Sequence, residues 1–471
     1  MTDYPMWIGG EAVRTGDVLN VRIPFDGSVA GSVYQASQQQ VEAAISAAQK
    51  AFPVMRSMSR HERSSILYKA HARLSERRDE MARAISSESG KPIREARGEV
   101  DRGLFTVLFS AEEAHRLHGE EVPMDAHPGG KGKTGIAVRE PLGVIAAITP
   151  FNFPLNLALH KIGPALAAGN TVVHKPASAT PLSAILLAQI FQDAGLPAGA
   201  LNVITGPGGQ IGDALTFDPR VAMVTFTGSP DVGTRIRNLA GMKRVTLELG
   251  SNSAVIVEPD ADLDKAVPKC VAGAFAHSGQ VCISIQRIFA HEAIRNEFAE
   301  RVAAAAAKLR IGHPKEEETE VSSLINENEA KRVESWIEEA REGGAKVIAG
   351  GHRRGATVEP AVLTDVPANA NLSAKEAFGP VVGINSYKTL DEAIALVNAS
   401  DYGLQAGMYT RDIDKAFRAA REVHVGGFHI NEIPAYRVDQ MPYGGVKLSG
   451  SGREGPRYAI EEMTELKLIT W

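Results

Sequence analysis

Residues 143–204 constrain the fold more than any other part of the chain. GVIAAIT reads as a strand, NLALHKIGPALAAG as a helix, NTVVHK as a strand, PLSAILLAQIFQDAG as a helix and ALNVIT as a strand. Short apolar runs alternating with helix-length segments predict βαβ units around a parallel sheet, an α/β fold. The next run, VAMVTFTG, enters SPDVGTRIRNLAG and places Gly228 and Ser229 at a strand-to-helix turn. Such a turn offers backbone N–H groups and the positive end of a helix dipole to an anion, so it is a candidate pyrophosphate site. Its spacing departs from the GxGxxG fingerprint, and a purely structural turn is the competing reading.

Residues 39–119 repeat apolar positions at helical spacing and read as scaffold. A Gly/Pro/Lys-rich stretch at 123–133 interrupts them, and TGIAVREPLGVIAAITP then suggests strands. Alternation resumes from 253 to 439, with a polar helix at 327–342 and a strand in AKVIAG, which is material for a second domain. LKLIT near the end reads as a strand that pairs within the fold or across subunits.

Composition excludes more than it identifies. A formal charge of -5 over 471 residues argues against a large nucleic-acid footprint, which needs a concentrated basic surface. No apolar run approaches the length of a membrane span, and the opening MTDYPMWIGG lacks an export signal, so the expectation is a cytoplasmic protein. Two cysteines, Cys270 and Cys282, are too few for a disulfide framework and suit a reducing compartment. No metal-binding set is expected.

Three residues carry candidate chemistry. Cys282, in GQVCISIQR, is a thiol among small and apolar neighbours that could add to an aldehyde to give a thiohemiacetal. Cys270, in KAVPKCVAGAF, reads as core packing. Glu248, in VTLELGSNS, is flanked by leucines at the end of a strand; it is a surface residue, an ion-pair partner or a carboxylate facing a crevice, where it could activate water. Asn152, between a strand and a helix in ITPFNFPLNLALHK, is either a turn-stabilising amide beside Pro154 or a donor to an oxyanion.

Taken together, ITPFNFPLNLALHKIGPALAAGNTVVHKPA, FTGSPDVG, LELGSNS, GQVC, KEAFGPV and PYGGVKLSGSGREG occur in the order seen in the aldehyde dehydrogenase superfamily, which the chain resembles over almost its whole length. The resemblance implies a Rossmann-related cofactor domain (1–120 and 141–249), an α/β catalytic domain (250–440), and a small β oligomerisation element built from a hairpin at 121–140 and a strand within 441–471. It implies NAD or NADP as cofactor and a homodimer or homotetramer. By the same resemblance Cys282 is the nucleophile, Glu248 the general base and Asn152 the oxyanion donor. Lys175 is a cofactor-ribose ligand, Gly228 and Ser229 are pyrophosphate neighbours, Glu376 contacts the nicotinamide ribose and Phe378 packs near the ring. Thr149, Pro150 and Ser178 are placed with the cofactor-binding residues.

Two departures matter. Ser178 stands where many NAD-preferring relatives carry Glu, which removes a charge that repels the extra phosphate of NADP. Ser251 in LELGSNS replaces a common glycine and adds a hydroxyl beside the base. For the substrate, Arg437 in AYRVDQMPYGG and Arg102 in EVDRGLF are candidate grips for a small hydroxylated or anionic aldehyde, as in the lactaldehyde, phosphonate and sulfonate branches. The competing reading ties Arg437 to Asp439 within its own loop and leaves Arg102 as a solvated helical charge. Rival functions are a coenzyme-A-acylating dehydrogenase, disfavoured by Glu248, and a non-catalytic protein retaining the fold, disfavoured by the intact Cys282, Glu248 and Asn152 set.

Overall fold

A computed structural model describes residues 2–471. The strands expected from the 143–204 alternation form the middle of an eight-stranded sheet. Arg244–Glu248, Val221–Thr227, Val144–Ile148, Thr171–Lys175 and Leu201–Val203 run parallel in that spatial order. Val144–Ile148 and Thr171–Lys175 are buried at every position, because helices cover both faces. One side continues antiparallel through Met6–Ile8 to the edge strand Glu11–Val13, and the other edge is Gly450–Ser451, which pairs antiparallel with Leu247 and Glu248.

The helical stretch after residue 38 divides into Gln38–Ser57, Arg60–Glu76, Arg78–Ser89 and Ile93–Arg116. Ser37 and Ser59 start the first two with reciprocal capping boxes to Gln40 and Glu62. Two later helices are capped from a distance instead. The carboxylate of Glu99 accepts hydrogen bonds from the N–H groups of Leu155 and Asn156 at 2.9 and 3.1 Å, and Glu88 accepts from those of Leu182 and Ser183. Each buried carboxylate answers helix donors that have no partner within the helix.

A seven-stranded sheet holds the second half, with Ala254–Val257 between Arg287–His291 and Gln405–Tyr409, all parallel. The strands read in TGIAVREPLGVIAAITP part company: Val144–Ile148 enters the large sheet, while Gly135–Pro141 forms a separate antiparallel sheet with Glu120–Val122 and the terminal Thr464–Thr470. No helix among the described residues is long and apolar enough to cross a membrane.

Candidate active site

The carboxyl ends of the large sheet's parallel strands meet the second sheet at a cavity of about 470 Å³. Strand ends deliver Glu248 and the loop bearing Pro150 and Asn152, while Cys282 arrives on the segment between helix Leu263–Phe275 and strand Arg287–His291. Ser178, Gly228, Ser229, Glu376 and Phe378 line the same cavity. Thr149 and Lys175 lie beside it on adjacent strand ends, joined by the Thr149 N–H donating to the Lys175 carbonyl at 3.2 Å. Arg102 and Arg437 are not on this wall.

The backbone is strained where these segments converge. His277 and Ser278, just before the cysteine, have φ of 47° and 55°, and Phe378 has φ of 46° with its ring edge-on to Phe151 at 5.7 Å. Left-handed conformations at residues bearing side chains persist only where surrounding structure over-determines them.

Burial sets the electrostatics. It pushes the Cys282 thiol up to about 11; the Tyr443 hydroxyl, 2.9 Å from Sγ, and the Arg437 charge act in the opposite direction. Burial also raises Glu248 well above the carboxylate range, reinforced by the negative charge of Glu454, and neither Glu248 oxygen has a hydrogen-bond partner. Asn152 donates through Nδ2 to the Gln280 carbonyl at 2.9 Å, and its Oδ1 is buried without a partner.

On the dinucleotide side, Glu376 is pushed up to about 7 by burial and accepts from the Ser251 N–H at 2.9 Å. The Lys175 ammonium is buried, brought down to about 8 by desolvation, and has no side-chain partner among the described residues. Ser178 Oγ donates to the Gly206 carbonyl at 2.7 Å, which leaves its oxygen free to accept. Ser229 caps helix Pro230–Leu239 through Val232. An unpaired buried cation, an open hydroxyl oxygen and a helix start fit a phosphate-bearing cofactor. The Ser251 hydroxyl lies 3.1 Å from that of Ser253, the added contact expected from this departure.

A model of the aldehyde dehydrogenase family matches residues 7–469. The chain belongs to the aldehyde dehydrogenase family. It is 48% identical over 466 residues to a 3-sulfolactaldehyde dehydrogenase of Priestia megaterium, covering 99% of this chain and 97% of that one. It is 40% identical to a lactaldehyde dehydrogenase of Methanococcus aeolicus, covering 98% and 99%. Among solved structures, the NADP-dependent glyceraldehyde-3-phosphate dehydrogenase of Bacillus halodurans complexed with NADP superposes with a TM-score of 0.98 at 38% identity, over 100% and 99% of the two chains. Aldehyde dehydrogenase 21 of Physcomitrella patens, in complex with the reaction product succinate, gives 0.97 at 41% identity over 100% and 98%.

In this aldehyde dehydrogenase the two arginines hold partners other than those read from sequence. Arg102, rather than Arg437, binds Asp439, through Nε at 3.2 Å and Nη2 at 2.7 Å. Asp439 also accepts from Asn156 at 3.0 Å and contacts His160 at 2.9 Å, so Arg102 is not a free solvated charge. Arg437, only 5% exposed, donates to Glu454 at 3.1 Å and lies 3.6 Å above the Tyr443 ring. Sequence reasoning quoted the PYGG turn but overlooked its tyrosine, and passed over His160, Lys161 and Glu454. The signal for His160 and Lys161 is polarity inside NLALHK, an otherwise largely apolar helix that the structure buries completely, whereas Glu454 lies outside it in SGREG.

Proposed function

We propose that this aldehyde dehydrogenase oxidises a small aldehyde bearing a hydroxyl and a terminal anion, of the sulfolactaldehyde type, to its carboxylic acid. The observation that carries the reading is Arg437: its Nε is buried without a partner, and its guanidinium stacks on the tyrosine that touches the Cys282 sulfur. A buried unmatched donor is costly and suits an incoming anion. Arg102, whose side chain is 32% exposed, engages Asp439 through Nε and Nη2. Around them, the three cations Arg102, Arg437 and Lys161 face the two carboxylates Asp439 and Glu454, while burial keeps His160 and Glu248 toward their neutral forms. The 48% identity to a 3-sulfolactaldehyde dehydrogenase supports a sulfonate as the anion that would meet Arg437.

In the proposed mechanism Cys282 adds to the aldehyde carbon, with the Asn152 amide and the Cys282 backbone N–H stabilising the oxyanion. Lys175, Ser178, Gly228, Ser229, Glu376 and Phe378, with Thr149 and Pro150, would hold NAD or NADP. The nicotinamide, when bound, supplies the hydride acceptor. Glu248 takes a proton from the water that hydrolyses the Cys282 thioester, and its place on the cavity wall favours water over coenzyme A as acyl acceptor. We place the contact between subunits on the Thr464–Thr470 sheet, where Leu466, Leu468, Ile469 and Trp471 are exposed.

The test is a matched kcat/KM comparison of sulfolactaldehyde, lactaldehyde, glyceraldehyde 3-phosphate, phosphonoacetaldehyde, succinate semialdehyde and simple alkyl aldehydes, repeated with Arg437→Ala and Arg102→Ala. An anionic aldehyde should lead and lose its advantage selectively in Arg437→Ala. A lead for alkyl aldehydes, unchanged in both variants, overturns the reading.

A further inference from the structure

Tyr443 stands between the charge and the sulfur. Its backbone is pinned by paired hydrogen bonds with Glu454, N–H to carbonyl at 3.0 Å and the reverse at 2.7 Å. The same Glu454 holds Arg437 against the tyrosine ring, so backbone and guanidinium fix the phenol from two directions. Its hydroxyl then has one side-chain partner, Cys282 Sγ at 2.9 Å. Asn152, meanwhile, gives its amide to Gln280 and not to the sulfur.

We propose that Tyr443 is the positioning residue of the nucleophile: its hydroxyl, backed by the stacked Arg437, parks the Cys282 sulfur before substrate arrives and stabilises it once it loses its proton. While the thiol is neutral either group can donate. After ionisation only the phenol has a proton to give, and a hydrogen bond to a charged acceptor is about twice as strong as one between neutral groups. The phenol keeps its proton, since burial raises it well above its ordinary value. The guanidinium above the ring draws on its electron density and favours donation. Four titratable or charged groups bear on this sulfur: Tyr443 and Arg437 favour the thiolate, whereas Glu376 and Glu248 oppose it. The proton leaving sulfur goes to water.

This inference rests on Cys282 being the nucleophile, and its test reads the thiol without aldehyde or dinucleotide. Iodoacetamide alkylation of Cys282 in the full chain is followed by peptide mass spectrometry from pH 7 to 11.5, with buried Cys270 as the internal control. Tyr443→Phe keeps the ring and its stack, and should slow alkylation about tenfold at any pH below the midpoint, equivalent to a rise of the midpoint by about one pH unit. Arg437→Gln should raise it in the same direction and supplies the measurement if Tyr443→Phe does not fold. An unchanged or lowered midpoint in a folded variant overturns the proposal. Loss of turnover with an unchanged midpoint also overturns it, by making Tyr443 a substrate contact only. Were Cys282 not the nucleophile, Cys282→Ala would retain aldehyde oxidation, an outcome separate from any shift in the midpoint.

Discussion

The Lys161 ammonium donates to the Glu454 carboxylate at 2.8 Å, with both side chains enclosed. Burial opposes ionisation of Glu454, but the charges of Lys161 and Arg437 outweigh it and bring its carboxyl down to about 2. Glu248 sits within reach of that negative charge, without a partner of its own, and is driven the other way. Two neighbouring carboxyls are thereby split into one held ionised and one whose affinity for a proton is raised, as a base that takes a proton from water requires.

Glu248→Gln should therefore cost hydrolysis and not stability. Steady turnover should fall about a hundredfold or more, while a first burst of reduced cofactor survives in rapid mixing. A carboxyl raised in the folded state contributes stability that is full below its unfolded value, near 4.3, and lost as pH rises through the folded value. The amide has no such loss, so the variant should melt at or above the parent temperature at pH 9. A variant that melts lower there, or that turns over normally, removes this account of Glu248.

Ser178→Glu should turn the dinucleotide preference toward NAD. The serine proton is committed to Gly206, leaving an oxygen that can accept but does not repel. A carboxylate in its place adds charge against a 2′-phosphate, and the NADP to NAD ratio of kcat/KM should drop at least tenfold, about 1.4 kcal/mol. An unaltered ratio in side-by-side kinetics would show that the ribose end does not approach this position.

Asp439→Ala strips Arg102, Asn156 and His160 of a shared acceptor. Burial disfavours the Asp439 anion, yet the His160 and Arg102 bonds hold its carboxyl well below the usual range. Leaving those donors unmatched should cost roughly 2–4 kcal/mol, toward the lower side because Arg102 is 32% exposed. A depressed carboxyl contributes above its unfolded value near 3.9 and loses that contribution as pH falls toward the folded value. Denaturant unfolding should show the full gap at pH 7 and a smaller one at pH 3; a gap that widens in acid contradicts the assignment.

Gly250→Ala tests Glu376. A Cβ at Gly250 would lie 2.4 Å from Glu376 Oε2, so the carboxylate must swing away from the Ser251 N–H. The dinucleotide KM should rise about tenfold with little change in melting temperature, because the displaced group is the end of a flexible side chain. Unchanged binding in a fluorescence titration would separate Glu376 from the cofactor.

Much of this protein was determined by sequence alone. The alternation through 143–204 specifies a parallel sheet because strand and helix periods differ, and the order of short motifs identifies the family without any geometry. Glu248, Asn152, Gly228 and Ser229 were legible for the same local reason: each sits where a strand ends and a loop begins, the edge at which parallel sheets gather their ligand-facing residues.

Tertiary structure decided which charge meets which. Local patterns describe i, i+3 and i, i+4 neighbours. Asp439 instead meets Arg102 across 337 positions, and Lys161 meets Glu454 across 293. The caps of Glu88 and Glu99 arise in the same way, replacing the Ser, Thr, Asp or Asn that a sequence reading looks for at a helix start. Tyr443 became visible last because its meaning is a distance of 2.9 Å to a sulfur 161 residues away, set by Gly450–Ser451 adding to the edge of the strand that ends in Glu248. A buried polar group takes whichever partner folding brings within reach, and only packing in three dimensions chooses that partner.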